Sequence, residues 1–341
     1  MIKNVFPTAS KKVLTLVKDL RDQPNVLFTF DVEGLPPKED IFNNSALLCL
    51  RKTLDLLESV DFKGIFFITA SAAEQIRKYP DLVKRLSSHE IGYHSSSHSV
   101  KPRIIEYTDV ASYEEAVAIS LERETSHINP ETGQIEGSGG ILALRETFPG
   151  NDIVCFRAPF LGWSPPHLEA LKKLGIKFDF SSSISEHPVF FRGTTFYPCP
   201  IPIDDCIEAT FVRREPGEVF PKPISSVLLR REVTVLLMHP PALLVKNPCA
   251  GQDKYEIAGN VRIKFVISLL KLLFNRIRFL QKINLVEVTS SLSQNWQSLH
   301  VESVDVEGIY WRSVQSLMRL FNCNPRFVLS HFMRFFYQDD Q

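Results

Sequence analysis

His89-Glu90-Ile91-Gly92-Tyr93-His94-Ser95-Ser96-Ser97-His98 holds the third short strand of this chain and two of its most chemical residues. Glu90 to Tyr93 is a brief strand that delivers His94. Upstream, Asn25-Val26-Leu27-Phe28-Thr29-Phe30 and Gly64-Ile65-Phe66-Phe67-Ile68-Thr69 are apolar runs of the length of buried strands. Between them, residues 45–60 carry Leu47, Leu48, Leu50, Leu54, Leu57 and Val60 as a helical stripe. Residues 71–88 are helical, with Pro80 opening a second helix. Strand, helix, strand, helix, strand is the order of a parallel α/β fold. His94 and His98 are four apart, which on a helical turn or helix-like loop puts both imidazoles on one face. The serines between them let the backbone curl and offer hydroxyls to orient the rings. Two imidazoles leave a divalent ion short of ligands, so a carboxylate has to come from elsewhere. The bland alternative is a polar surface turn, because so short a pattern has a high false-positive risk.

A carboxylate pair stands where the first apolar run ends, at Asp31-Val32-Glu33-Gly34. Barrels of alternating strands and helices place catalytic groups just past the C-terminal ends of their strands. Further on, a helix over 112–126 precedes residues 127–152, a loop-rich insertion marked by Gly133, Gly137 and Gly139-Gly140 around the short segment Ile141 to Phe148. Loops of that length are often lids or binding loops. Ile153 to Phe156 is a strand running into Arg157-Ala158-Pro159-Phe160. A helix over 165–174 starts at Ser164 and stops at Gly175, and Ile176 to Phe180 is the next strand. Residues 185–230 have no clear period; Phe190 to Pro200 reads as short strands and turns. Val233 to Met238 is a buried strand ending at His239-Pro240. A long helix over 257–280 and a strand over 284–288 follow. The expected organisation is an N-terminal helix in 1–24, a catalytic domain over 25–290 and a C-terminal helical extension over 291–341.

Lysine plus arginine balance aspartate plus glutamate at 39 each, so no global charge argues for nucleic acid as a partner. The six cysteines are scattered, with no C-x-x-C pair, and read as reduced thiols of a cytosolic protein. Met1 to Arg21 lacks the apolar core and cleavage site of a signal peptide. No uncharged run reaches the ~20 residues needed to span a bilayer. The expected location is therefore cytoplasmic. Peripheral membrane contact stays open, because Val261 to Leu280 carries five basic residues, no acidic one and a broad apolar face. Packing of that face on the barrel is the simpler account.

Five motifs, in this order and each at the end of an apolar run, resemble the polysaccharide deacetylase family, the carbohydrate esterases of family four. They are Thr29-Phe30-Asp31-Val32-Glu33, His94-Ser95-Ser96-Ser97-His98, Arg157-Ala158-Pro159-Phe160, a degenerate Asp179-Phe180-Ser181-Ser182-Ser183, and Leu236-Leu237-Met238-His239. The resemblance spans about residues 25–290 and implies a distorted (β/α) barrel. It also implies a divalent metal, zinc first, with cobalt, nickel, manganese or iron as alternatives. The family's usual second aspartate, a metal ligand, is Val32 here. In an extended segment Asp31 and Glu33 share a side, so Glu33 is assigned as the ligand beside His94 and His98.

The implied chemistry is hydrolysis of an N-acetyl group on an aminosugar, free, nucleotide-linked or lipid-linked, in surface-glycan assembly. Asp31 is the general base, Arg157 its partner, and His239 the general acid. Asp179 is the candidate carboxylate for His239. The Phe160 backbone N–H is the oxyanion donor, and Trp163 is a candidate wall of the sugar site. Deformylation of a lipid-linked aminosugar or opening of a cyclic amide uses the same groups. An inactive carbohydrate-binding protein and a non-haem iron oxygenase are the readings from other classes.

Overall fold

A computed structural model describes residues 26–34, 42–97, 112–129, 132, 134–161, 165–181, 188–191, 193–198, 200–204, 233–243, 245–246, 256–257 and parts of 263–274. The described elements are β1 (Val26–Val32), α1 (Asn44–Glu58), β2 (Ile65–Ile68), α2 (Ala70–Ile76), α3 (Pro80–Leu86), β3 (Glu90–Tyr93), α4 (Tyr113–Glu124), β4 (Ser126–Ile128), β5 (Ile135–Ser138), α5 (Ile141–Thr147), β6 (Cys155–Phe156), α6 (Pro165–Lys173), β7 (Phe178–Asp179), β8 (Val189–Phe191), β9 (Thr194–Phe196), β10 (Ile201–Pro202), β11 (Thr234–Met238), β12 (Val245–Lys246) and β13 (Glu256–Ile257). Helix starts follow local chemistry: Asn43, Thr69 and Ser112 cap α1, α2 and α4 through their side chains, and Pro80 opens α3.

Among the described residues, nine strands form one sheet in the order β10-β11-β1-β2-β3-β6-β7-β9-β8. Every neighbouring pair is parallel except the β8–β9 hairpin. The sheet curls into a half-barrel, the α/β class that the alternation predicts. All seven residues of β1 are buried, as a strand inside a parallel sheet must be.

Period-two alternation divides the strand side chains between two faces. Val26, Phe28, Phe30 and Val32 share one core with Tyr93, Phe156, Met238 and the apolar stripe of α1. Leu27, Phe67, Cys155, Phe178, Phe180 and Val235 belong to a second, smaller core with no helical member. The first lies under the helices and the second on the concave face. Val32, Ile68, Tyr93, Phe156 and Asp179 are Cα partners in succession across five strands. One residue on, Glu33, His94 and Arg157 therefore stand in the next row, on the concave side.

Residues 127–152 differ from expectation. In place of a lid-like loop, β4 and β5 pair as an antiparallel hairpin, and α5 buries Ile141 and Leu144. Two of the glycines read as loop signals, Gly139 and Gly140, are needed for close approach. Gly140 has φ +58, and a Cβ on it would lie 2.1 Å from the Glu124 carbonyl oxygen. Along the basic run, Val266, Leu270 and Phe274 are buried, and the Phe274 ring meets Phe28 at 4.8 Å. That side of the run is core. Among the described residues no helix is long and apolar enough to cross a membrane. The expected helix in 1–24, the strand at 284–288 and the extension over 291–341 lie outside the described residues.

Candidate active site

Arg157 is the floor of the site. It follows β6 and is fully buried. Its Nη1 donates to Asp31 Oδ1 at 2.6 Å, its Nη2 to Thr29 Oγ1 at 2.8 Å and its Nε to the Phe180 carbonyl at 3.1 Å. Its guanidinium lies 4.3 Å from the centroid of the Phe67 ring. Phe67 can sit there because β3 has a glycine beside it: a Cβ on Gly92 would meet the ring at 2.5 Å. A buried cation needs a buried anion, and Asp31 supplies it.

His94 faces both carboxylates. Its Nδ1 lies 2.7 Å from the Arg157 carbonyl oxygen, which can only accept, so Nδ1 carries the hydrogen. Its Nε2 lies 3.1 Å from Glu33 Oε2 and 3.9 Å from Asp31 Oδ2. With Nδ1 as donor, a neutral ring turns a lone pair toward a carboxylate. A metal cation between them, or a proton on Nε2, satisfies this contact. Two ligands of one zinc at ~2.1 Å sit roughly 2.9–3.4 Å apart, and the His94–Glu33 separation falls in that range. The donor set fits a divalent ion. Among the described residues no group of three His, Cys, Asp or Glu is arranged to hold a metal by itself. The third expected ligand, His98, lies outside them. His94 follows β3 in a loop rather than on a helical turn, and Ser95 has φ +68. The hydroxyls of Ser95 and Ser96 bind Glu124 and the Arg123 carbonyl rather than the ring of His94.

His239 closes the other side. It follows β11, and its Nε2 is 3.6 Å from Glu33 Oε1. Its Nδ1 pairs with Asp204 Oδ2 at 2.5 Å, and its backbone N–H also donates to Asp204. Burial alone would lower this imidazole. The charge and hydrogen bond of Asp204, then Glu33 and Asp31, outweigh it and push it up to about 10.

The carboxylate beside His239 is thus Asp204, not Asp179. The reason is strand parity. Asp179 pairs in register with Phe156, while its neighbours Phe178 and Phe180 belong to the concave core. The Asp179 side chain therefore leaves from the opposite face. Its Oδ1 accepts the Ser181 N–H at 2.7 Å, and Ser181 Oγ accepts the Ala158 N–H at 2.7 Å. Asp179 braces the turn after Arg157, and burial pushes its carboxyl up to about 7. Sequence reading missed Asp204. A usable signal was Ile201-Pro202-Ile203-Asp204, an acid closing a short apolar run. Phe160 lies in the tight turn Pro159–Leu161 directly after the Arg157 strand. Trp163 is outside the described residues.

A family model described as polysaccharide deacetylase matches residues 20–178, which contain Asp31, Glu33, His94 and Arg157. These residues are similar to the polysaccharide deacetylase family. The match supports a hydrolase acting on a carbohydrate as a deacetylase. No curated protein matches the chain by sequence. Solved structures similar to it include a protein of Mycobacterium smegmatis assigned as a polysaccharide deacetylase. It is 17% identical at a TM-score of 0.46, covering 73% of this chain and 83% of that one. A CE4 esterase of Streptococcus mutans is 16% identical at a TM-score of 0.40, covering 78% and 86%. A CE4 pseudoenzyme of Bacillus anthracis is 11% identical at a TM-score of 0.38, covering 74% and 61%.

Proposed function

We propose that the chain is a metal-dependent N-deacetylase of an aminosugar. The observation that carries this reading is the confrontation of His94 Nε2 with Glu33 and Asp31, beside a buried Arg157. A divalent ion held by His94, His98 and Glu33 would supply Lewis acidity and a water acidified toward neutral pH. Asp31 accepts the proton of the water that attacks the amide carbonyl. Arg157 pairs with Asp31 and holds it in place. The Phe160 backbone N–H donates to the oxyanion as the carbon becomes tetrahedral. The carbon–nitrogen bond then breaks, and the leaving amine takes a proton from His239 Nε2. Asp204 keeps His239 protonated and turned toward that nitrogen. Glu33, between His94 and His239, sets the distance between the attacking and protonating sides.

The test is acetate release from a panel of N-acetylated aminosugars, free, nucleotide-linked and lipid-linked, with zinc, cobalt, nickel, manganese or iron supplied. Acetate release that depends on metal and on Asp31 supports the reading. Formate released from N-formyl counterparts instead would move the assignment to a deformylase. A second reading, a carbohydrate-binding protein without turnover, draws on Val32 standing where the family's second aspartate is usual. Sugar binding by protein that takes up no metal and releases no acyl group would favour it.

A further inference from the structure

We infer that Glu124 is the positioning residue of the histidine loop, gripping both chain neighbours of His94 and so fixing how the loop presents the His94 imidazole. The inference rests on the metal-dependent reading above. His94 points to the concave face, so Tyr93 and Ser95 on either side of it point back toward the helices. Both end on one carboxylate. Tyr93 Oη donates to Glu124 Oε2 at 2.6 Å, and Ser95 Oγ lies 2.8 and 2.9 Å from the two Glu124 oxygens. Glu124 is the last residue of α4 and is 1% exposed. A third donor, His167 Nε2 of α6, reaches Glu124 Oε1 at 2.8 Å and ties the anchor to a second helix.

The backbone of the loop shows why an anchor is needed. Ser95 has φ +68, a left-handed conformation that a serine keeps only when its surroundings hold it. Its hydroxyl is held by Glu124, and its carbonyl accepts the Ala70 N–H at 3.0 Å. Ser96 Oγ donates to the Arg123 carbonyl at 2.8 Å, next to Glu124 in the chain. The end of α4 approaches this closely because Gly140 has no Cβ. His94 is thereby fixed twice: its ring by the Arg157 carbonyl, and its backbone by Glu124 through Tyr93 and Ser95. Glu124 does not touch the reacting atoms. It acts through the geometry of the ligands, one step beyond the partners that bind a ligand directly, which are worth roughly 10–100-fold in metal affinity.

The experiment measures zinc affinity of the whole metal-free protein by chelator competition, with visible spectra of the cobalt-loaded form and melting of the metal-free form. Glu124→Gln is expected to weaken zinc, by no more than that roughly 10–100-fold, and to shift the cobalt bands, which report angles between ligands. Ser95→Ala, which removes one hydroxyl, is expected to act in the same direction. The double variant should be no weaker than Glu124→Gln alone, since both remove one interaction. A folded Glu124→Gln or Ser95→Ala protein with wild-type zinc affinity and cobalt spectrum overturns the inference, even if its melting temperature falls. Losses that simply add overturn the coupling of the two residues. If Glu124→Gln does not fold, Ser95→Ala decides the matter. Failure of the metal-dependent reading itself would look different, because wild-type protein would then bind no zinc.

Discussion

Asp31 stands beside His94 and His239 beside Glu33, yet the two are held in different ways. The Asp31 side chain is 5% exposed and pairs with a guanidinium that has no exposure at all. The His239 side chain is 34% exposed and pairs with Asp204 beside β10, the last strand of the sheet among the described residues. The anion is built into the core of the fold, while the cation stands at its rim. Fold and chemistry are therefore coupled on one side of the site and nearly separable on the other.

Breaking the buried side should have the largest effect. Arg157→Ala leaves Asp31 uncompensated in the core and should destabilise the protein by about 3–5 kcal/mol, with loss of activity. Denaturant unfolding of the metal-free protein checks this, and a wild-type midpoint would contradict the buried pair. Next comes the charge itself. Asp31→Asn should lower turnover by roughly 10²–10⁴ while zinc content stays unchanged. Zinc lost in Asp31→Asn but kept in Glu33→Gln would reverse the roles given to the two carboxylates.

The rim should yield to chemistry before stability. His239→Ala should lower kcat by roughly 10²-fold or more, with a smaller fall in unfolding midpoint than Arg157→Ala. Asp204→Asn sharpens the comparison. His239 is raised to about 10, so it remains a proton donor until the pH rises through that value. Its contribution to stability likewise is full below the ordinary imidazole range and is lost as pH rises through about 10. Asp204→Asn should move the basic limb of kcat/KM down toward neutrality, with little change at pH 6 and a growing loss above pH 7. A limb that does not move would remove Asp204 from this role.

The smallest effect belongs to Asp179. Its carboxyl is raised to about 7, so the folded state holds a proton there that the unfolded chain has released. That stabilising contribution is full below the usual aspartate range and fades as pH rises through about 7. Asp179→Asn should flatten this slope, and melting temperatures at pH 5 and pH 8 would show it.

These contrasts also mark what was legible in the sequence. Asp31, His94, Arg157 and His239 could be read because each stands in a motif resembling the polysaccharide deacetylase family, at the end of a short strand. Parallel pairing then brings the strand ends together. Asp204 could not be read so easily. Its strand has two residues, one of them proline, and its partner lies 35 positions away. Asp179 was given the wrong neighbour because strand identity was read without parity. Phe178 and Phe180 flank it, and alternation alone would have turned it away from His239. The hairpin and helix in 127–152 were hidden by glycines, which mark loops and tight packing alike.

Gly92 bears no functional group, yet it sets the height of the floor. The Phe67 ring beneath Arg157 occupies the place where any larger residue at position 92 would put its first carbon. A single added methyl has to push that ring or part the strands, and the guanidinium rests on the ring. In a mutational scan scored by turnover, position 92 would stand among the acids and bases, although it contributes only an absence. The tolerances of this site are set by how closely two strands can lie.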